Sequence, residues 1–283
     1  MTAAGKGPSG ICLAGTLTGD WASHSVIRMQ DGPDFLDLPA RDRKPRLRGL
    51  THVLDKGTTI PELEAVLASV GHLIDILKIG WGISYVDRTV KERVALCGAA
   101  GITVCLGGTL LEVCAAQGKV DELRGWAIDL GVDAVEVSNG LRALRPGQKA
   151  ALVRTLATDF QVFAETGAKD GRVPVVTTDW LEEMQADLAA GARWVIAEGR
   201  ESGTVGLYTA DGSPRAELVD AIAERIDLDR VIFEAPKKSQ QVWFIRRFGA
   251  NANLGNVSVA AVLPLETLRL GLRADTAQVG GAP

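Results

Sequence analysis

The sequence predicts an α/β fold of one domain: a single (β/α)8 TIM barrel over residues 45–283, preceded by an N-terminal arm over residues 1–44. Three observations carry that reading. The chain has 283 residues, a length that suits one large barrel. From Pro45 onward, short β-branched apolar runs alternate with longer stretches of helical period, the pattern of βαβ units and a parallel sheet. The strand-like runs number eight, the count that closes a barrel. An open doubly wound sheet could have fewer strands and should carry GxGxxG after its first one; DKG stands there instead.

The elements follow in order. Residues 1–44 show no period and carry Gly, Pro and paired charges, as in DGPDFLDLPARDRKPR, so they are expected to pack across one end of the domain. GLTHVLD (49–55) is the first strand. Pro61 then opens the helix ELEAVLASV, where a missing N–H has no intrahelical partner to lose. IDILKIG (74–80) precedes VDRTVKERVALCGAAG, a helix ending on Gly101, which suits the position after a helix end. ITVCLGG (102–108) and AVEVS (134–138) are the third and fourth strands. FQVFAET (160–166), RWVIAEG (193–199), RVIFEA (230–235) and ANLGNVS (252–258) complete the eight. PGQKAALVRTLA, TTDWLEEMQADLAAG, SPRAELVDAIAERI, SQQVWFIRRFG and PLETLRLGLR supply helices between and after them.

Composition narrows the function classes. The hydrophobic fraction of 46% with 23% charged residues fits a globular domain with a sizeable core. A net charge of -4 argues against a general nucleic-acid binder. No stretch approaches the roughly 20 uncharged apolar residues of a membrane span. The N-terminus lacks a signal-peptide pattern, so a cytoplasmic location is expected. Cys12, Cys97, Cys105 and Cys114 form no CxxC pair and no zinc spacing, and are expected to be buried free thiols.

In such barrels the site lies at the C-terminal strand ends. Those ends are polar on every strand: Asp55 and Lys56; Lys78 before Gly80-Trp81-Gly82; Gly107-Gly108-Thr109; Glu136, Ser138 and Asn139; Glu165, Lys169 and Asp170; Glu198, Arg200, Glu201 and Ser202; Glu234, Lys237 and Lys238; Asn253, Gly255 and Asn256. Any one of these could be a solvated loop residue or half of a structural ion pair; all eight ends together indicate a functional mouth. Lys78 and Glu136 sit in apolar strands and must be paired. The glycine pairs serve equally as tight turns or as places where backbone N–H groups approach an anion. Lys237 and Lys238 stand just before a helix N-terminus at the seventh strand, where barrel phosphate sites are common. A basic, phosphate-ready rim is therefore expected. His52, alone on an apolar strand, reads as a satisfied core residue.

These strand ends also carry a family pattern. KPRLRGLTHVLDKG, LKIGWG, GGTLLEV, VEVSNG, AETGAKD, AEGRESG, FEAPKKSQQVWFIRRFGANANLGNV and LETLRLGLRADT occur in the order found in phosphosulfolactate synthases, and from Lys44 to about Thr276 the chain resembles that family. His52, Cys105 and the arm depart from its pattern. The resemblance implies a Mg2+-dependent addition of sulfite to phosphoenolpyruvate, whose archaeal product feeds coenzyme M synthesis. It implies Lys169 as the donor of a proton to carbon 2, with Lys56 as second choice; a pKa lowered by neighbouring cations would favour that role. Asp55, Glu136 and Glu198 become the expected Mg2+ ligands, and Lys78, Arg200, Ser202, Lys237, Lys238, Asn253 and Gly255 the substrate-binding set. By analogy with the family, a homo-oligomer is expected. Two further readings stay open: a phosphoenolpyruvate enzyme with a different nucleophile or acceptor, and a non-catalytic barrel like the plant heat-stress branch.

Overall fold

The computed structural model describes residues 33, 35–142, 144–145 and 147–277. Cys12 and most of the N-terminal arm lie outside the described residues. Eight parallel strands close in sequence order: β1 (Thr51–Asp55), β2 (Ile76–Ile79), β3 (Thr103–Leu106), β4 (Ala134–Val137), β5 (Gln161–Thr166), β6 (Trp194–Ala197), β7 (Val231–Glu234) and β8 (Leu254–Ser258), with β8 pairing back onto β1. Each strand falls inside its expected run. They are apolar without clean alternation because a parallel barrel strand is buried on both faces.

Two apolar cores result. A small one fills the barrel: Leu50, Ile76, Cys105, Ala134, Phe163, Trp194, Ile196 and Ile232. A larger one lies between the sheet and its helices and takes the other face of the same strands, such as Val53, Leu77, Val104 and Val135. The strand period of two assigns each residue to one core or the other.

The helices are α1 (Ile60–Val70), α2 (Ile83–Val86), α3 (Val90–Ala99), α4 (Gly108–Ala116), α5 (Val120–Leu130), α6 (Gln148–Leu156), α7 (Thr177–Ala190), α8 (Ala216–Arg225), α9 (Lys238–Phe248) and α10 (Val262–Arg269). Pro61 sits in the first turn of α1. Gly101 has φ +64 after α3, and Ile102 N–H donates back to Cys97 O at 3.0 Å, so the expected helix stop is present. Two helices, α4 and α5, fill the connection from β3 to β4, and α4 starts directly on the strand end. Trp243 packs partly buried against the outer core, edge-on to Phe244.

At the N-terminal end of the strands, described residues just before β1 pack against the barrel. Arg41 bonds Glu266 (2.9 Å) and Gly49 O (3.0 Å), and Arg46 pairs with Asp75 (3.0 Å). Arg269 is almost fully buried and donates to the carbonyls of Ala250, Ala252 and Leu50 at 2.6–3.0 Å. Cys97 and Cys105 are buried free thiols, while Cys114 is only half-buried. Among the described residues, no helix is long and apolar enough to cross a membrane.

Candidate active site

A cavity of about 520 Å³ opens at the C-terminal strand ends, a volume typical of small-ligand sites. Its floor is a set of buried charges carried on strands. Lys78 Nζ from β2 lies 2.9 Å from Glu136 (β4), 3.2 Å from Glu234 (β7) and 3.9 Å from Glu165 (β5). All four side chains are buried. Their inward direction follows from the strand period: each stands two residues beyond a member of the barrel core (Ile76, Ala134, Phe163, Ile232).

The charges shape one another. Burial alone would lower the pKa of Lys78, but Glu136, Glu234 and Glu165 hold it well above the usual lysine value. Burial pushes Glu136 up, yet Lys78 and the Gly108 N–H, which donates to Oε1 at 2.9 Å, bring it down to about 2. Gly108 has to be glycine here, since a Cβ would stand 2.6 Å from Ser138 Oγ. Glu165 and Glu198 go the other way. Burial and neighbouring carboxylates raise Glu165 to about 7 and Glu198 well above the carboxylate range.

Ligand oxygens of Glu165, Glu198 and Glu234 come within 4.8 Å of one another. Glu234 already accepts from the N–H groups of Gly199 (2.8 Å) and Arg200 (2.9 Å). Glu165 Oε1 and Glu198 Oε2 are buried with no hydrogen-bond partner. Buried acceptors left unmade cost on the order of 1–3 kcal/mol each. Such a cluster therefore calls for a shared proton or a cation.

Lys169, on the loop after β5, enters from the wall. Its Nζ donates to Glu112 (2.9 Å), Thr109 (3.1 Å) and Ser138 (3.3 Å), with Glu165 at 3.8 Å. Ser138 Oγ also donates to Glu112. Gly140 makes room for the lysine stem, because a Cβ there would fall 2.6 Å from Lys169 Cγ. Burial would lower the pKa of Lys169, but Glu165 and Glu112 raise it overall. The expectation of a lysine made acidic by neighbouring cations is thus corrected: its neighbours are carboxylates.

Of the residues to which the resemblance gives a role, Lys78, Glu136, Lys169, Glu198 and Arg200 line the cavity together. The others do not. Asp55 points away from the mouth, where Oδ2 pairs with Arg93 on α3 (2.7 Å) and Oδ1 accepts from Gly57 and Thr58 N–H. Lys56 and Ser202 are exposed outside the cavity lining. Lys238 pairs with Asp275 at 2.7 Å. Lys237 caps α9, whose first turn is covered by the β6–α8 loop through Gln240 Nε2 donating to Gly203 O (2.9 Å) and Gly212 O (3.2 Å). Asn253 lies at the opposite end of β8, bonding Leu50 N–H (3.0 Å) and the carbonyls of Leu228 and Val231. Gly255 packs inside the barrel against His52 and Ile232. The β8 residue at the mouth is Asn256, with Oδ1 buried and unpartnered.

The expected basic rim is corrected too. The cavity is lined by Lys78, Lys169, Arg142 and Arg200, but also by Glu136, Glu165, Glu198, Glu201, Glu234 and Asp170. Sequence reasoning passed over Glu112, whose signal is one carboxylate in the apolar run LLEV, and it placed Glu165 and Glu234 at the mouth without giving them a role. His52 is buried in the core but is not satisfied: neither ring nitrogen has a partner, and burial lowers its pKa to about 3.

Residues 39–275 match the family described as (2R)-phospho-3-sulfolactate synthase (ComA). A phosphosulfolactate synthase of Bacillus subtilis (strain 168) is 38% identical over 247 residues, covering 86% of this chain and 98% of that protein. One from Methanocaldococcus jannaschii is 43% identical over 235 residues, covering 81% and 94%. The Arabidopsis thaliana protein HEAT-STRESS-ASSOCIATED 32 is 24% identical over 268 residues, covering 83% and 90%. Among solved structures, an aldolase titled QR15 superposes with a TM-score of 0.50 at 14% identity, covering 77% of this chain and 96% of that one, a likeness of fold alone.

Proposed function

The chain belongs to the (2R)-phospho-3-sulfolactate synthase family, and from that premise we propose that it joins sulfite to phosphoenolpyruvate, with Mg2+, to give phosphosulfolactate. One observation carries the reading beyond family membership: the clustered carboxylates of Glu165, Glu198 and Glu234 line the same cavity as the Lys169 ammonium.

The donor set fits the metal. Mg2+ takes carboxylate oxygens and keeps several waters. Glu165, Glu198 and Glu234 would hold it. Glu198 belongs to the set expected from the resemblance, while Glu136 is committed to Lys78 and Gly108, and Asp55 to Arg93. Bound there, Mg2+ would act as a Lewis acid toward the negative charge that builds on the substrate carboxylate.

The protein's own groups account for the rest. The sulfite sulfur bonds to carbon 3, and the electron pair of the carbon 2–carbon 3 double bond moves toward carbon 2 and its carboxylate. Lys169 Nζ then delivers one proton to carbon 2. Its raised pKa suits this step. The ammonium stays protonated until an enolate-like carbon, a far stronger base than an amine, appears beside it. Glu112, Ser138 and Thr109 hold that ammonium against the wall between turnovers.

The test is incubation of the protein with phosphoenolpyruvate, sulfite and Mg2+, followed by phosphorus NMR. Consumption of phosphoenolpyruvate with appearance of a new phosphate ester is expected only when sulfite and metal are both present. No consumption would sink the reading.

A further inference from the structure

Four cationic side chains line the cavity: Lys78, Lys169, Arg142 and Arg200. The two lysines have already committed their charge. Lys78 is bonded to Glu136 and Glu234, and Lys169 to Glu112, with Glu165 close to both. A ligand with two or more negative charges could draw on them only by displacing a buried carboxylate. The arginines are different. Arg200 donates to Lys169 O at 3.1 Å, and its paired carboxylate, Glu201, stands 3.8 Å away. Arg142, on the loop after β4, has no carboxylate at ion-pair distance among the described residues.

The backbone singles out the same residues independently. Among the described residues, the non-glycine positions with positive φ are Trp81 (51°), Arg142 (58°), Arg200 (55°) and Asn256 (51°). They follow β2, β4 and β6 or lie in β8, and all four line this one cavity. Left-handed backbone at a residue with a Cβ costs free energy, and it persists at sites that need a side chain aimed in one direction.

The loop carrying Arg142 is tied down to hold it there. Arg142 N–H donates to Asn139 O at 2.9 Å, and the Asn139 side chain closes the loop through Leu144 N–H (2.9 Å) and Leu144 O (3.2 Å). Leu141 N–H donates to Glu112 Oε2 at 2.7 Å. The carboxylate that holds Lys169 therefore also anchors the residue next to Arg142.

We propose that Arg142 is an anion receptor of the active site, binding an oxyanion group of the substrates together with Arg200. The ligand class is a phosphate ester, carboxylate or sulfite, which a guanidinium fork engages through two parallel hydrogen bonds. Which of these anions it serves rests on the reaction proposed above; the receptor itself does not.

The experiment titrates phosphoenolpyruvate, inorganic phosphate and sulfite into the full chain and into Arg142→Gln and Arg142→Lys by calorimetry, with turnover measured in parallel. Arg142 is exposed, so the melting temperature should not move. At least a tenfold loss of affinity for one or more of the anions is expected in Arg142→Gln, with a smaller loss in Arg142→Lys, which keeps the charge and loses the fork. The anion whose affinity falls identifies the group bound. Affinities within twofold of the unsubstituted protein for all three anions would overturn the proposal, as would an unsubstituted protein that binds none of them. Anion binding that depends on Arg142 without turnover would leave the receptor standing and remove the proposed reaction. Turnover unaffected by either substitution, with unchanged affinities, would do the reverse.

Discussion

The two ends of the barrel both bury charge, and they treat it in opposite ways. At the N-terminal end, Arg269 gives both terminal nitrogens to backbone carbonyls, Arg41 and Arg46 meet Glu266 and Asp75, and Asn253 uses its amide on three backbone groups. Charge there staples chain segments together. At the C-terminal end, carboxylates outnumber the cations bonded to them, Glu165 and Glu198 keep oxygens without partners, and Trp81, Arg142, Arg200 and Asn256 adopt left-handed backbone. Both ends carry a desolvation cost, but only one has acceptors left over for a ligand. A polar residue buried at a barrel end is thus no sign of a site, nor is a single unpartnered donor, since Arg269 Nε is buried without a partner; a cluster of carboxylates short of cations is.

The sharpest way to break this comparison is at Lys169. Lys169→Ala is expected to lower kcat about a thousandfold, the range of a lost general acid, while phosphoenolpyruvate still binds. Steady-state kinetics with a binding titration checks it, and near-normal turnover would remove the lysine from the chemistry.

Arg269→Met probes the other end. It takes one donor from each of three carbonyls, of which Ala250 O keeps Arg41 and Leu50 O keeps the Leu254 N–H, and is expected to cost about 2 kcal/mol, lowering the melting temperature by several degrees. Turnover per folded molecule should not change, and loss of turnover in excess of loss of fold would contradict a purely structural N-terminal end.

Asp55→Asn tests the boundary between the two behaviours. Asp55 ends β1 on the mouth side but is bonded to Arg93 and its own loop. A loss of about 3 kcal/mol from the weakened buried pair is expected, with the Mg2+ dependence of activity preserved. A shift in metal affinity would return Asp55 to the metal site.

The acid cluster gives a pH signature. Glu165 is raised to about 7 in the folded chain from an ordinary value of 4.5, so the native state holds the extra proton between those values. Its contribution to stability is therefore lost as pH rises through that window. Glu165→Gln has no such loss. The melting temperature of this variant minus that of the parent should widen from pH 5 to pH 8 without divalent metal, and Mg2+ should narrow it by stabilising the parent. A gap flat with pH would mean the cluster does not titrate there. The smallest effect is expected on the rim: Lys238→Ala removes a half-exposed pair with Asp275 and should leave turnover and melting temperature unchanged within measurement.

Much of this protein was legible in one dimension. Eight apolar runs at barrel spacing, Pro61 at a helix start and Gly101 at a helix stop depend on neighbours in sequence, and their strands and helix ends lie where expected. Lys78 and Glu136 were legible as partners in need because a charge inside an apolar strand has nowhere else to go. The run NANLGN offered Asn253 and Asn256 alike, and only the strand ends told them apart. Asp55 and Glu165 both close a strand on a carboxylate, yet one turns toward α3 and the other into the barrel.

The sequence by itself determined the barrel and the polar character of its strand ends, since burial on both faces is written into each strand. Tertiary structure alone decided which charges meet. Lys78 finds Glu136 and Glu234 across 58 and 156 residues of chain, and Lys169 finds Glu112 across 57. No local period carries information over those separations; closure of the sheet does, by pointing alternate residues of distant strands at one axis. The surplus of carboxylates at the mouth, which replaced an expected basic rim, is a product of that closure.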